Sequence, residues 1–175
     1  MSTAVLPTDE TLSEGAVFSI PSSGAATSDV LSREGVLSAV SASYVQWGPV
    51  RIRIQGFSPN AAMIETMKQL YALTELQAGW NSYEARPIRL DVIRRVVRWV
   101  PRLIQATTPE PAVVPRVNGG LQLEWHRNGI DLEIFVDSPT DIRFEAEDLT
   151  SAETVESSVV GNDELLKTWI ARISD

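Results

Sequence analysis

The stretch Leu121-Gln-Leu-Glu-Trp-His-Arg-Asn-Gly-Ile-Asp-Leu-Glu-Ile-Phe-Val136 constrains the fold more than any other part of the chain. Asn128-Gly129 lies between two alternating runs, and Asn-Gly is the preferred pair for a two-residue type I′ turn, whose central positions both need positive φ. A turn there sets Trp125 opposite Leu132, Leu123 opposite Ile134 and Leu121 opposite Val136. All six are apolar and fall on one side of the pleat. A slip of one residue would send each partner to the other face, so the pattern fixes the register. The opposite face pairs His126 with Asp131, Glu124 with Glu133 and Gln122 with Phe135. Two glutamates directly opposite repel, so an arginine, a cation, a partner or water is expected beside them.

The hairpin extends at both ends. Asp137-Ser-Pro-Thr-Asp141 is a turn by composition, and Ile142, Phe144 and Ala146 then alternate with Arg143 and Glu145. This adds a strand and a line of carboxylates, Glu124–Glu133–Glu145, flanked by Asp131 and Glu147. Upstream, Val113-Val-Pro-Arg-Val117 and the turn Asn118-Gly119-Gly120 predict an edge strand, since Pro115 cannot donate to a central ladder. Further upstream, Val50, Ile52 and Ile54 alternate with Arg51, Arg53 and Gln55, and Gly48-Pro49 interrupts the run, which places it at an edge or a bulge. Were this strand to join the meander, Arg51 and Arg53 would lie beside the glutamates.

Three helices are expected. Ser58-Pro59 opens the first, as N-cap and N1. Met63, Ile64, Met67, Leu70 and Tyr71 carry its 3.6-residue period, with the methionines as core filler, and Gly79 ends it. Pro87 opens the second, with Ile93, Val96, Val97, Val100, Leu103 and Ile104 along one stripe and Arg94, Arg98 and Arg102 along another. Asp91 is placed to pair with Arg94 or Arg95. Pro101 predicts a kink or an end near Trp99. The segment 150–160 reads as an acidic, serine-rich loop. Asn162 caps a last helix with Leu166, Trp169, Ile170 and Ile173 on one face. The fold class is α+β: an antiparallel β-meander of three to five strands packed on two to three helices.

Residues 1–43 include 20 Ser, Thr or Ala and show no apolar period, which predicts a disordered tail. Residues 44–175 are then a single α+β domain. No lysine or arginine precedes Arg33, so neither a secretory n-region nor an arginine-rich transit peptide is expected. No apolar run approaches the ~18 residues of a membrane span, and a cytoplasmic location is expected. The chain has no cysteine, which removes disulfides, thiolate metal sites and a cysteine nucleophile.

Charge is divided unevenly. The net charge is −8, yet from Glu124 to the end there are 13 acidic and 4 basic residues, while Arg86 to Arg102 holds six arginines against Asp91. The bipolar pattern suggests either internal complementarity or a charged partner, a basic protein being the one to meet the acidic sheet face. The total disfavours nucleic acid, where affinity comes mostly from neutralised phosphates. No phosphate-binding glycine loop, nucleophile elbow, His-Glu-x-x-His or EF-hand loop occurs. The single histidine, His126, sits beside a turn with free access for water. No catalytic residue, metal ligand or cofactor is therefore expected.

The segment Gly79-Trp-Asn-Ser-Tyr-Glu-Ala-Arg-Pro-Ile88 places two aromatics in a polar loop. It resembles the Gly-Trp-Asp-Gly-Tyr-Gly-Ala-x-Pro-Ile element of small, uncharacterised bacterial proteins, in which an arginine-containing helix and a Gly-Gly-x-x-x-Glu-Trp strand follow. Gly79, Trp80, Tyr83, Ala85, Pro87 and Ile88 match, as do Gly119, Gly120, Glu124 and Trp125. Asn81, Ser82 and Glu84 depart from the commonest letters. The resemblance covers roughly residues 65–147 and implies a bacterial or phage setting but no activity. Taken together, these features predict a non-enzymatic protein–protein interaction module, whether adaptor, inhibitor or assembly subunit. Its partner-binding residues are Trp80, Tyr83, Arg94, Arg98, Glu124, Glu133 and Glu145, since Trp, Tyr and Arg recur at binding hot spots. The alternatives are a small metal-dependent enzyme using Glu124, Glu133 and Glu145, or a nucleic-acid-associated protein using the arginine helix with Trp80, Tyr83 and Trp99.

Overall fold

The computed structural model describes residues 17–20, 42–47, 50–55 and 59–174. The chain divides into two compact units, Met1–Ser58 and Pro59–Asp175.

In the first unit, β1 (Val17–Ile20), β2 (Ala42–Trp47) and β3 (Val50–Gln55) form a three-stranded sheet of order β1-β3-β2. β3 pairs in parallel with β1 and antiparallel with β2, Trp47 facing Val50. Two expectations are corrected. β2 and β3 are two separate, antiparallel strands, and β3 is the central one. It also belongs to a different sheet from the meander, so Arg51 and Arg53 are not cross-strand neighbours of the glutamates. The remainder of the tail expected over 1–43 lies outside the described residues.

The second unit is α+β. Its order is α1 (Ala61–Thr74), α2 (Leu90–Leu103), β4 (Ala112–Pro115), β5 (Leu121–Arg127), β6 (Ile130–Val136), β7 (Ile142–Asp148), β8 (Glu153–Ser158) and α3 (Asp163–Ser174). The strands form one antiparallel sheet in sequence order. The hairpin has the expected register, Trp125 facing Leu132 and Glu124 facing Glu133. Asn128 and Gly129 both have positive φ, 56° and 71°, as the type I′ turn requires.

Alternation decides the layering. Leu121, Leu123, Trp125, Leu132, Ile134, Val136, Ile142, Phe144 and Ala146 are all buried, together with Met63, Met67, Leu70, Val92, Ile93, Val96, Val100, Leu166, Trp169 and Ile173 of the helices. Burial of each such side chain is worth about 1.5–3 kcal/mol, which is what holds a helical layer on this face of the sheet. The indole N–H of Trp125 donates to the Pro109 carbonyl at 2.9 Å, so the largest side chain of the face leaves no orphaned donor.

Helix boundaries differ from expectation for local reasons. Asn60, not Ser58, caps α1, its Oδ1 accepting from Met63 N at 2.8 Å, and α1 ends at Thr74 rather than running to Gly79. α2 starts at Leu90 rather than Pro87, with Arg89 at its N-cap, and continues through Pro101 to Leu103. Pro101 is buried, and one lost backbone bond near a helix end is outweighed there by packing. Asp91 pairs with Arg89 at 2.5 Å. The expected loop over 150–160 contains a fifth strand, β8, in register with β7.

Candidate functional site

The loop between α1 and α2 holds the two aromatics. Gly79 N donates to Ala85 O at 2.8 Å and Ser82 N to Gly79 O at 2.8 Å. Asn81 Oδ1 accepts from Tyr83 N at 3.0 Å and from Ala85 N at 3.3 Å. The Trp80 indole donates to Arg86 O at 3.0 Å. The loop is also fastened to the turn before β5, by Arg86 N to Val117 O at 3.0 Å and Arg89 N to Gly119 O at 2.9 Å. Gly120 is needed at that junction, because a Cβ there would stand 2.6 Å from the Val136 carbonyl.

These contacts divide the aromatic pair. Trp80 is half-buried and closes the loop through its own hydrogen bond. Tyr83 is 81 % exposed on the same pinned backbone. The loop therefore presents one phenol, at low entropic cost, to whatever lies outside.

The carboxylates gather on the polar face of the sheet. Glu124 faces Glu133, Glu133 faces Glu145, and Glu145 faces Glu156. The line expected to hold three glutamates thus holds four, one on each of four adjacent strands, over about 14 Å. Glu156 was missed because β8 was read as loop. Neighbouring charges ~5 Å apart repel by roughly 0.8 kcal/mol in water before screening, and the surrounding groups offset this. The Gln122 amide donates to Glu133 Oε2 at 2.8 Å. Arg143, two residues before Glu145 on the same strand face, bonds Glu145 and lies 3.9 Å from Glu156. His126 bonds Asp131 at 2.9 Å and lies 3.7 Å from Glu124. The hydrogen bond to Asp131 raises the His126 pKa above its ordinary value, against a smaller lowering by desolvation.

Arg143 is held in place by Phe135, an aromatic residue on the polar face. Its guanidinium lies 3.9 Å from the ring centroid, and that of Arg116 lies 4.9 Å from the same ring. Arg116 in turn bonds Asp137 at 3.1 Å. Sequence reading left Phe135 without a role; its register position opposite Arg143 was the available signal.

Arg94 and Arg98 both lie on α2, Arg94 half-buried and Arg98 exposed. Trp99, grouped with them as a nucleic-acid contact, is buried, with Arg95 5.9 Å from its ring. The seven expected residues therefore form three sets. Trp80 and Tyr83 share one loop, Arg94 and Arg98 one helix, and the glutamates the polar face of the sheet, which is the side away from the helical layer. Among the described residues no group of three or more His, Asp or Glu side chains converges to hold a metal ion. No described helix is long and apolar enough to cross a membrane.

Comparison with family models, with curated proteins and with solved structures finds no match for this chain.

Proposed function

We propose that this chain is a non-enzymatic interaction module, an adaptor, inhibitor or assembly subunit, acting on another protein in the cytoplasm of a bacterial or phage system. The observation that supports this reading most is Tyr83: an almost fully exposed phenol on a loop fixed by hydrogen bonds at both ends. A rigid, amphipathic side chain of this kind gives contact area at little entropic cost. Arg86, Arg89 and Arg98, all exposed, add basic groups in the loop and along α2, whereas the glutamate row offers a second, acidic surface.

The test separates the surface from the scaffold. Tyr83→Ala is expected to leave the melting temperature within about 1 °C of the natural protein, because the side chain buries almost nothing. It is expected to lose at least one partner captured reproducibly by the natural protein from its source cell, read by quantitative mass spectrometry. Identical capture profiles for the two proteins would sink the reading. Trp80→Ala is the poorer probe, since it also removes the bond that closes the loop.

A further inference from the structure

The two edges of the five-stranded sheet are treated differently. At β4 the outward Val113 N–H donates to the Gln69 side chain of α1 at 2.9 Å, and Pro115 has no N–H to offer. This edge is closed. At β8, the bond from Val159 N to Ile142 O at 2.9 Å sets the phase of pairing with β7. Bonded and non-bonded pairs alternate in an antiparallel ladder, so Phe144/Ser157 and Ala146/Val155 exchange bonds. Thr154 and Glu156 turn their N–H and C=O groups outward. No strand pairs with β8 on that side among the described residues.

The side chains of those same two residues lie on the acidic face. Glu156 ends the four-glutamate row, and Thr154 ends the row of His126, Asp131 and Glu147. A shallow trough lined by Asp131, Glu133, Glu145, Glu147, Thr154 and Glu156 runs up to this edge. Beside it, Arg143 bonds Glu145 and makes a longer approach to Glu156; the Glu156 side chain is 72 % exposed.

We propose that β8 is a docking edge for an extended basic segment of a partner protein, which adds as a sixth strand and sets a Lys or Arg at every second position beside Glu156 and Thr154. Backbone bonds supply the attachment, as in strand addition to exposed edges generally, and the acidic row selects the sequence. The same charge opposes a second copy of this chain, because edge-to-edge pairing would bring like-charged strands together, a device by which natural sheets avoid self-association. The inference rests on the interaction reading above and adds to it the mode and the chemistry of one partner.

The phase of β8 makes the inference testable. Added antiparallel, as every strand of this sheet pairs, the segment sets its basic residues opposite Thr154 and Glu156, so their own amides are the ones that bond to β8. The probe is the peptide Thr-Lys-Thr-Arg-Thr-Lys-Thr, acetylated and amidated, titrated into the full chain. Binding is expected to slow amide exchange at Thr154 and Glu156 about tenfold or more. Methylating the amides of the basic residues is expected to weaken binding at least about tenfold, while methylating the threonine amides has little effect. Thr154→Pro, which removes an outward donor from an edge position, is expected to give a similar loss with β7–β8 exchange unchanged. Equal weakening by both methylation patterns, or no slowing at Thr154 and Glu156, would show only general attraction between a basic peptide and an acidic protein, and overturns the proposal. Should Thr154→Pro unfold the strand, the methylated peptides decide alone. Failure of the unmodified peptide to bind the natural chain, with the Tyr83-dependent partner retained, rejects the edge and not the interaction module.

Discussion

Ser82 sits at φ +66°, in the left-handed region, between Gly79 at +76° and a phenol that faces outward. A side chain there costs roughly 1 kcal/mol, because Cβ crowds the following carbonyl. Glycine, with no Cβ, takes such a φ without that cost. Ser82→Gly is expected to raise unfolding stability by about 0.5 kcal/mol. Relief of the backbone is partly offset by the greater freedom of glycine in the unfolded chain. A shift of the urea midpoint to higher concentration with unchanged slope checks it; a shift to lower concentration would mean that Ser82 is not strained. Asn81 holds the loop around Ser82, since its Oδ1 accepts two backbone N–H groups.

Elements were legible where their cause is local. The hairpin β5–β6 follows from turn chemistry and alternation within a few residues, and the structure reproduces its register pair for pair. β8 was not legible: Glu-Thr-Val-Glu-Ser-Ser has one apolar residue, and its strand conformation comes from pairing with β7. The N-cap of α1 was misplaced because Ser58-Pro59 and Asn60 are both start signals, and only the fold decides which is used. The glutamate row was read in part, and the group that relieves it was sought in β3 when it lay in β7. Arg143→Met keeps an apolar stem on Phe135 but removes the guanidinium. It is expected to cost about 1 kcal/mol, because the cation–π contact and the partly exposed ion pair are each modest. Adding Glu145→Gln should recover part of that loss, since one of the repelling charges goes with it. A double-mutant cycle in urea, at low and high salt, measures the coupling. Full additivity would mean that Arg143 does not relieve the row.

For the molecule as a whole, the division between Ser58 and Pro59 has a consequence that does not depend on how the units are arranged. The buried residues described for 59–175 form a core of helices and sheet within that segment. A fragment beginning at Pro59 is therefore expected to unfold cooperatively, with the near-ultraviolet dichroism of its buried tryptophans intact. A non-cooperative transition would show that the first unit supplies part of the core.

The meander also bears on how the chain reaches this state. Each strand of the second sheet pairs only with its neighbours in sequence, across a two-residue turn at 128–129 and short connections at 137–141 and 149–152. Short loops close at small entropic cost, and structures built from local contacts fold quickly. The sheet can therefore assemble hairpin by hairpin in the order of synthesis, β8 arriving last among the strands. α1 and α2, made earlier, acquire the surface that buries their apolar stripes only as those hairpins form; a hairpin closes in about 1–10 μs whereas synthesis adds about 5–20 residues per second, so the time taken to make the strands governs how long these helices stay bare.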